Sequence, residues 1–425
     1  MKMTCYFGPD GNEFILNGKD QDVNAEEIYG PLTTPVFGSD VIYDCPNSKL
    51  MEQKKFVKFG LTQKALECHV PLIESEVLDY IKGASFFKGN SGTVDVTKSM
   101  SEITIFTAGR ALQGEEVRSK LTHEFAGVYH DLDNGLAAIN FFMPWAPLPL
   151  NRKRDAAHVK MRNLYLDIIE RRRKGGVEED SDMIWNLMNC KYKNGQPIPD
   201  KEIAHMMITM LLGGQHSSAS ASAWIILRLA SRPDIQAQLY EEQVNNLAEG
   251  GKLRPIEYRD LDKMPLLQGT IKETLRLHSS IHSIMRKAKR PLEVPGTPYV
   301  VTPGTILLAS PVVTALSDEF FPSAHEWNPH RWIGREQKED DDDDNEVSLS
   351  KGSRSPYLPF GAGRHRCIGE KFAYLNLSVI VATFIRNFQF RTVDEKEDVP
   401  PTDYSSLFSR PSQPAVVKWE ARTEM

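Results

Sequence analysis

The chain has no long apolar run at its amino terminus, where Met1-Lys2-Met3-Thr4-Cys5 opens the sequence. A signal peptide or a transmembrane anchor would need such a run, so neither is predicted here. Basic residues are not in excess either, because 51 Lys and Arg stand against 57 Asp and Glu and the net charge is -6. This balance gives no electrostatic signature for binding nucleic acid.

Cysteine is scarce, with five residues scattered along the chain: Cys5, Cys45, Cys68, Cys190 and Cys367. An odd number at wide spacing does not fit a disulfide framework and is typical of reduced thiols facing the cytosol. The sequence also lacks internal repeats and any linker that would mark a second domain. With 40% hydrophobic and 25% charged residues, it has the composition of an ordinary globular protein. We therefore expect a single domain over residues 1–425.

One cysteine lies in a glycine-rich loop, Phe360-Gly361-Ala362-Gly363-Arg364-His365-Arg366-Cys367-Ile368-Gly369. Glycines let the backbone approach a ligand closely and turn through positive φ. Backbone N–H groups can then point at the sulfur, and such hydrogen bonds tune a metal-bound thiolate. A cysteine alone is more often a buried free thiol than a ligand. The aromatic residue, the flanking glycines and the basic residues between them favour a haem-iron ligand at Cys367.

A second unusual stretch has no Asp, Glu, Lys or Arg between Glu202 and Arg228. Its centre, Gly213-Gly214-Gln215-His216-Ser217-Ser218-Ala219-Ser220, is too polar for a membrane span. The stretch predicts a buried helix from about Asp200 to Ser231, about 48 Å long at 1.5 Å per residue. Two adjacent glycines inside a helix cost about 1 kcal/mol each relative to alanine, and a ligand that approaches the backbone would offset this cost. Ser217 can also donate back to a helix carbonyl.

The segment Lys272-Glu273-Thr274-Leu275-Arg276 places an acid and a base at positions i and i+3, on one helix face. By spacing alone this is a common surface pair worth less than about 1 kcal/mol. The segment Asn328-Pro329-His330-Arg331-Trp332 follows later and supplies another arginine.

Together these segments resemble the cytochrome P450 monooxygenases. The cysteine loop resembles their haem-binding loop, residues 213–218 resemble their oxygen-activation motif, and Glu273, Arg276 and Arg331 resemble their buried Glu-Arg-Arg triad. His365 stands where most members carry arginine, and His216 stands where most carry an acid. Both substitutions resemble the fungal sterol 14α-demethylases, and the resemblance covers nearly the whole chain from about Thr4.

The resemblance implies a mainly α fold with small β-sheets (α+β), the cytochrome P450 haem-thiolate fold. Members normally carry an anchor, a proline-rich hinge, a first helix and the opening strand of a sheet before the point where this chain begins. We therefore expect a chain that lacks these amino-terminal elements.

The resemblance also implies the residues of the site. Haem b would be held through Cys367 as the axial ligand of the iron. Further haem contacts are expected from Tyr29, Tyr43, Lys54, Arg286, Phe360, Gly361 and His365. Residues implied in oxygen activation and proton relay are Gly214, His216 and Ser217. Residues implied to contact substrate are Leu32, Thr33, Val36, Phe37, Phe141, Gly213, Ile281, His282, Ser283, Leu407 and Phe408.

The implied activity is removal of the 14α-methyl group of a lanosterol-like sterol by three successive oxidations with O2. Electrons would come from NADPH through a flavoprotein reductase, with Lys55 and Lys58 as a docking patch. Azole inhibitors are expected ligands, and the expected location is the cytosolic face of the endoplasmic reticulum membrane.

Several local predictions do not depend on that activity. Gly8–Gly11 is predicted as a turn between a strand and a short helix, and Tyr29–Gly38 as an apolar loop broken by prolines and glycines. Asp403–Phe408 resembles a hairpin tip, and Asp340–Asp344 predicts a solvated loop. The region from Lys64 to His130 predicts amphipathic helices without evident chemistry.

The stretch Ile139–Leu150 is apolar, interrupted by prolines and followed by Arg152-Lys153-Arg154. A buried loop is the more general interpretation. A lip that dips into a membrane is a second hypothesis, because tryptophan with flanking cations suits a lipid interface and Trp145 lies in this stretch.

Two other functions stay open at this point. A haem-thiolate enzyme for fatty acids or xenobiotics would share Cys367 and the Glu273/Arg276 pair, but not the motif at His216 or the block Tyr29–Asp44. A non-catalytic fragment that binds haem or sterol is excluded by no motif.

Overall fold

Helices dominate the fold. The computed structural model describes residues 2–121, 123–175, 182–334, 352–394, 399–406 and 408–422, and it gives only the backbone of residues 123, 124 and 126. The helices in chain order are α1 Gly8–Leu16, α2 Glu26–Phe37, α3 Asn47–Val57, α4 Gln63–Gly83, α5 Val96–Ala108, α6 Glu115–Lys120, α7 His123–Asp133, α8 Pro149–Arg173, α9 Met183–Asn189, α10 Asp200–Ser231, α11 Pro233–Leu247, α12 Pro265–Leu277, α13 Pro311–Ala315 and α14 Glu370–Asn387.

The strands are short and form small sheets. They are β1 Met3–Cys5, β2 Val23–Asn24, β3 Ser91–Asp95, β4 Ala248–Glu249, β5 Lys252–Leu253, β6 Ile284–Ala288, β7 Leu292–Glu293, β8 Val300–Val301, β9 Ile306–Ala309, β10 Phe388–Thr392, β11 Thr402–Asp403, β12 Arg410–Pro411 and β13 Val416–Ala421. The largest described sheet has the order β1-β9-β6-β2, and a second one has the order β10-β13-β3. The pairing of β11 with β12 confirms the predicted hairpin at Asp403–Phe408. The mainly α fold with small sheets is likewise confirmed.

The helix α10 runs through the centre of the molecule and has the predicted bounds. Asp200 and Glu202 lie in its first turn, where acidic side chains favour the positive end of the helix dipole. The helix ends at Ser231 because Pro233 restricts the residue before it and begins the next helix. Its apolar side chains are buried against α5, α8, α12 and α14. The absence of charge in this segment therefore reflects burial inside the protein.

The helix α2 corrects one prediction, because Tyr29–Gly38 was expected to be a loop. Tyr29, Leu32, Thr33 and Val36 are buried, and their spacing is that of one helix face. Two prolines inside a helix cost about 3 kcal/mol each, while burying a large apolar side chain contributes about 1.5–3 kcal/mol. Packing of one face is thus large enough to offset the prolines. Gly38 ends the helix with a φ of 100°.

Two further predictions are wrong in detail. The stretch Gly8–Gly11 is the first turn of α1 rather than a turn before it, because Pro9 fits the amino-terminal end of a helix. The region from Lys64 to His130 contains a strand, β3, in addition to its helices. The predicted loop at residues 340–344 lies outside the described residues.

A smaller apolar cluster packs α1 against the first sheet, with Ile15, Leu16, Val23 and Leu307 at its centre. Ala362 of the cysteine loop belongs to the same cluster. The cysteine loop is therefore anchored on the side of the sheet, and its other end leads into α14. Among the helices that the structure describes, none combines the length and the apolar character needed to cross a membrane.

Candidate functional site

The cysteine loop is held in place by its glycines. Gly361 and Gly363 both have a φ of 67°, which glycine adopts without the strain of a side chain. A Cβ at Gly363 would lie 2.1 Å from the carbonyl oxygen of Leu16, at the end of α1. The Cys367 amide donates to the carbonyl of Phe360 at 3.0 Å. The glycines are therefore required by close backbone packing as well as by the turns of the loop.

The Cys367 side chain combines accessible surface with densely packed surroundings. The residue keeps accessible surface, yet burial is the largest cause that raises its thiol pKa. Both observations agree if the accessible surface opens into a cleft of the protein rather than to bulk water. The backbone N–H of Gly369 and the charges of Lys54 and Arg366 oppose this increase in pKa. The predicted direction of N–H groups toward the sulfur is thus present at Gly369.

Two cations join the loop to neighbouring segments, one from within the loop and one from α3. Arg364 donates to the carbonyls of Gly18 at 2.6 Å and Val23 at 2.7 Å. Lys54, on α3, donates to the carbonyl of Arg364 at 2.7 Å and to that of Arg366 at 3.2 Å. Lys54 was expected beside a haem carboxylate, and the structure places its ammonium on the carbonyls of the cysteine loop. A role next to the cofactor stays a prediction for this residue.

The other residues expected around the haem carboxylates come together. Tyr29 and Tyr43 have ring centroids 5.0 Å apart, and Tyr43 lies 5.5 Å from the ring of His365. The hydroxyl of Tyr29 accepts from the amide of Met285 at 2.9 Å. Burial, together with the nearby charges of Arg286, Arg364 and Lys54, lowers the pKa of His365 to about 3. His365 is therefore a neutral imidazole near neutral pH.

Arg286 gives a test of whether the site suits haem. Its side chain is buried, with 2% of the residue exposed, and it donates a hydrogen bond to the carbonyl of Met285 at 2.8 Å. Among the described residues it makes no ion pair with a carboxylate. Burial is the main cause that lowers the pKa of Arg286, and the charge of Arg364 lowers it further. A buried guanidinium without an acidic partner is costly, so the site fits a ligand that brings carboxylates, as haem does.

The two central glycines of α10 differ in their surroundings. A Cβ at Gly213 would meet no atom within 4 Å, while one at Gly214 would lie 3.7 Å from Leu112 Cδ1. Gly213 therefore borders an open space, whereas Gly214 packs against the π-helix Gly109–Gln113. Ser217 Oγ donates to the carbonyl of Gly213 at 3.1 Å, as predicted.

The His216 ring lies between two other aromatic side chains, two residues after Gly214 on α10. Its Nε2 lies 2.9 Å from Asp133 Oδ1, which makes an ion pair when the imidazole is protonated. The ring stacks on Phe408 at 5.2 Å and lies 5.6 Å from Tyr129. Burial raises the pKa of Asp133, but His216 outweighs it and the net pKa is lowered. Asp133 was missed from the sequence because nothing in its local pattern distinguishes it from an ordinary acid at a helix end.

The predicted triad is present, with Glu273 and Arg276 fully buried and Arg331 partly buried. Glu273 accepts from Arg276 at 2.8 and 2.9 Å and from Arg331 at 2.8 Å. Trp332 Nε1 and the backbone amide of Asn328 donate to the same carboxylate at 2.9 and 3.0 Å. Burial raises the pKa of Glu273, but these donors and charges outweigh it and the net pKa is lowered. The last two donors had not been predicted, although Trp332 directly follows Arg331.

An aromatic chain links the triad to the cysteine loop. The ring of Trp332 lies 4.8 Å from that of Tyr357. The hydroxyls of Tyr357 and Tyr374 are 3.0 Å apart, and the ring of Tyr374 lies 5.3 Å from Phe360. Sequence reasoning missed both tyrosines, since an isolated tyrosine carries no signal of its partner. These contacts connect the carboxylate of Glu273 to Phe360, the first residue of the cysteine loop.

The residues expected to contact substrate fall into two groups. Leu32, Thr33 and Val36 are buried on α2, while Phe37, Phe141 and Phe408 are partly exposed. Ile281, His282 and Ser283 lie just before β6 rather than in a strand, and His282 Nδ1 is 2.8 Å from Ser283 Oγ. Leu407 lies outside the described residues. Both α2 and the β11–β12 hairpin contact α10.

Comparison with known proteins identifies a matching family and several similar proteins. The family model described as "Cytochrome P450" matches residues 1–419. A sterol 14-alpha demethylase of Aspergillus flavus is 68% identical over 425 residues, which are 99% of this chain and 83% of that protein. An eburicol 14-alpha-demethylase of Penicillium italicum is 59% identical over 437 residues, covering 99% of this chain and 84% of that protein. The solved structure of a retinoic acid bound cyanobacterial CYP120A1 superposes with a TM-score of 0.81 at 20% identity, covering 98% of this chain and 89% of that one.

Proposed function

This chain belongs to the cytochrome P450 family, and we propose that it removes the 14α-methyl group of a lanosterol-like sterol as one haem-thiolate domain over residues 1–425. The observation that carries this proposal is that one chain holds both a glycine-built cysteine loop and, on α10, a histidine that contacts an acid. His216 faces the partly exposed Phe408 and the acid Asp133. The names and the extent of the similar proteins support the same sterol reaction.

Haem b would be bound by residues of four elements. Cys367 would ligate the iron, and Arg286, with Tyr29 and Tyr43 beside it, would hold the carboxylates. Phe360, Gly361 and His365 would border the macrocycle. When bound, a haem with a cysteine thiolate activates dioxygen, because the electron donation of the thiolate favours O–O cleavage.

The chain's own contribution to the chemistry is the supply of protons. The Nε2 atom of His216 lies 2.9 Å from Asp133 Oδ1, and a positioned imidazole of this kind can act as a general acid. Ser217 donates within the helix at 3.1 Å, to the carbonyl of Gly213. In this arrangement His216 is already placed to pass on a proton. The Ser217 hydroxyl would first have to rotate away from the Gly213 carbonyl. Gly213 leaves room beside the helix for O2.

Substrate positioning would depend on an apolar wall. Side chains of α2, Phe141 and Phe408 would hold a rigid sterol so that one methyl group faces the reactive centre. Azole inhibitors would occupy the same cavity.

The direct test is turnover by the purified chain. The protein, loaded with haem, is incubated with lanosterol or eburicol, NADPH and a fungal flavoprotein reductase, and the sterols are identified by mass spectrometry. We expect a 14-demethylated sterol together with formate. A normal reduced, CO-bound spectrum without any sterol conversion, but with oxidation of a fatty acid, would refute the sterol reaction.

Reductase docking is proposed at Lys55 and Lys58, which are exposed at the end of α3 and make no ion pair with described residues. The variant Lys55→Glu, Lys58→Glu should lower turnover about tenfold at low salt, because oppositely charged partners steer each other's association. Turnover is measured as NADPH-dependent sterol conversion. The matched control is Lys19→Glu, Lys418→Glu, with the same change of charge at exposed lysines elsewhere. Equal rates in the two variants would remove the patch from the proposal.

Membrane contact at the cytosolic face of the endoplasmic reticulum is proposed through the loop before α8. Phe142 is 70% and Trp145 is 79% exposed, so the interpretation as a buried loop does not fit these side chains. Trp145→Ser should reduce liposome binding several-fold, because indole partitions into the lipid interface. Flotation with liposomes measures this, with Tyr299→Ser, an aromatic residue 71% exposed on the β7–β8 hairpin, as control. Unchanged flotation of the Trp145 variant would exclude this contact.

A further inference from the structure

A second pocket lies away from the cysteine loop, where the end of α2 meets α8 and the first turns of α10. Its volume is about 290 Å³. The residues that carry the argument line it together: Gly38, Ser39, His158, Arg162, Lys201 and His205. None of them belongs to the site described above.

His205 is the most buried polar residue of this pocket, with 1% exposed. Its Nδ1 lies 2.8 Å from the carbonyl of Ser39, and since a carbonyl can only accept, Nδ1 carries the proton. The Nε2 atom is buried and has no hydrogen-bond partner among the described residues. A Cβ at Gly38 would lie 2.3 Å from the ring, so the backbone of α2 packs directly on it. A buried, unpartnered nitrogen in a pocket wall indicates a ligand.

Two more polar atoms of the same pocket wall are buried without a described partner. Ser39 Oγ and Arg162 Nε are buried and also lack a hydrogen-bond partner in the part of the chain that the structure describes. Among the described residues, the guanidinium of Arg162 donates only to the side-chain oxygen of Asn163, at 3.4 Å. Lys201 is exposed at the rim, and the described residues give it no ion pair. Three donor side chains therefore line the pocket together with His205.

The charge of the pocket is positive. Among the described residues that line it, Asp155 supplies the single carboxylate, and Arg154 already pairs with this acid at 2.7 Å. His158 Nδ1 lies 3.0 Å from the carbonyl of Val36, so this ring has the same tautomer as its neighbour. Burial lowers the pKa of both imidazoles, and the charges of Arg162 and Lys201 add to this. Both pKa shifts favour neutral imidazoles when no ligand is bound.

We propose that this pocket binds a phosphate group, either as a free phosphate ester or as the headgroup of a phospholipid. The phosphate oxygens would accept from Arg162, Lys201 and Ser39, and the P–OH of a hydrogen phosphate would donate to Nε2 of His205. A guanidinium and a hydroxyl are frequent partners of phosphate. A divalent metal would suit two imidazole nitrogens, but Arg162 and Lys201 in the same pocket would repel it.

Phosphate at this position would tie the end of α2 to α8 and α10. Two described hydrogen bonds across this junction are those of the imidazoles to the carbonyls of Val36 and Ser39. A ligand that binds only the folded chain also stabilises it, by an amount that grows with the logarithm of the ligand concentration above its Kd. The pocket would therefore act on the helix that carries Tyr29 and Val36, at a distance from the cysteine loop.

The test uses the purified, haem-containing protein and inorganic phosphate as the probe. Binding is followed by titration calorimetry and by the rise in melting temperature. We expect saturable binding by the wild type and at least about tenfold weaker binding by Arg162→Gln and by Lys201→Gln, because each removes a charge-assisted contact. Arg391→Gln, an exposed arginine on β10, is the matched control and should bind like the wild type. Haem content and circular dichroism show that each variant is folded.

Two further arms identify the source of the phosphate. Vesicles of phosphatidylcholine with and without phosphatidic acid are compared for wild type and Arg162→Gln. If the variant loses the preference for phosphatidic acid and free phosphate competes for it, the headgroup is the ligand. If phosphate binds and the vesicle preference is unchanged in the variant, a soluble ester is the ligand. Wild-type protein that binds Zn²⁺ but not phosphate, or variants that bind phosphate like the wild type, would overturn the proposal.

Discussion

Replacing Glu273 by alanine should abolish the accumulation of haem-containing protein. The carboxylate accepts from Arg276 and Arg331 in a fully buried position, so its removal leaves buried cations without an acid. Such a loss costs about 3–5 kcal/mol, which is a large part of the stability of a typical domain. Because Trp332, Tyr357 and Tyr374 pack in series between Glu273 and the cysteine loop, the loss of ordered packing would reach that loop. Absorbance of the haem relative to total protein measures the effect.

The conservative variant Glu273→Gln separates charge from packing. The folded pKa of Glu273 is lowered, so its stabilising contribution is complete above the ordinary value of 4.5 and is lost as pH falls through the lowered one. The difference in unfolding free energy between wild type and Glu273→Gln should therefore be constant near neutral pH and shrink at acid pH. Glu249→Ala, at a carboxylate with 70% of its side chain exposed that pairs with Arg254, is the control. Normal haem content in Glu273→Ala would contradict the role of the triad.

Replacing Cys367 by serine should remove the thiolate-type band of the reduced, CO-bound spectrum and lower sterol turnover by at least about 100-fold. Residues that only support a metal ligand already change activity by about 10–100-fold, and a serine hydroxyl keeps its proton where a thiol gives it up. The backbone of the loop should be retained, because it depends on Gly361, Gly363 and the amide of Cys367.

Difference spectroscopy with dithionite and carbon monoxide measures the first effect, and sterol analysis measures the second. Cys68→Ser is the matched control, since that thiol is free and exposed on α4. Binding of an azole should shift the haem spectrum of this control and of the wild type alike. A thiolate band that persists in Cys367→Ser would mean that another residue ligates the iron.

Much of the site could be predicted from the sequence because its signals are local. A cysteine between glycines and an i, i+3 acid–base pair are read within one segment, and both are where they were expected. The central helix was also predicted with its bounds, since burial on all sides excludes charge over its length. That these residues bind haem or sterol stays a prediction.

Other features depend on contacts between distant segments. The helix α2 was predicted as a loop because its prolines are local signals, whereas the burial of its face against the core depends on tertiary packing. Asp133 reaches His216 from a helix that showed no chemistry, and Tyr357 reaches Tyr374 only through the fold. The pocket at His205 is likewise assembled from three helices.

By itself, the sequence determined the family, the cysteine loop and the buried central helix, because each leaves a pattern within a short stretch. Only the tertiary structure decided which acid faces His216, that Gly213 but not Gly214 borders open space, and which buried polar atoms lack partners. The physical reason is that burial and hydrogen-bond satisfaction are properties of the surroundings of an atom. Those surroundings are supplied by residues that lie far apart along the chain.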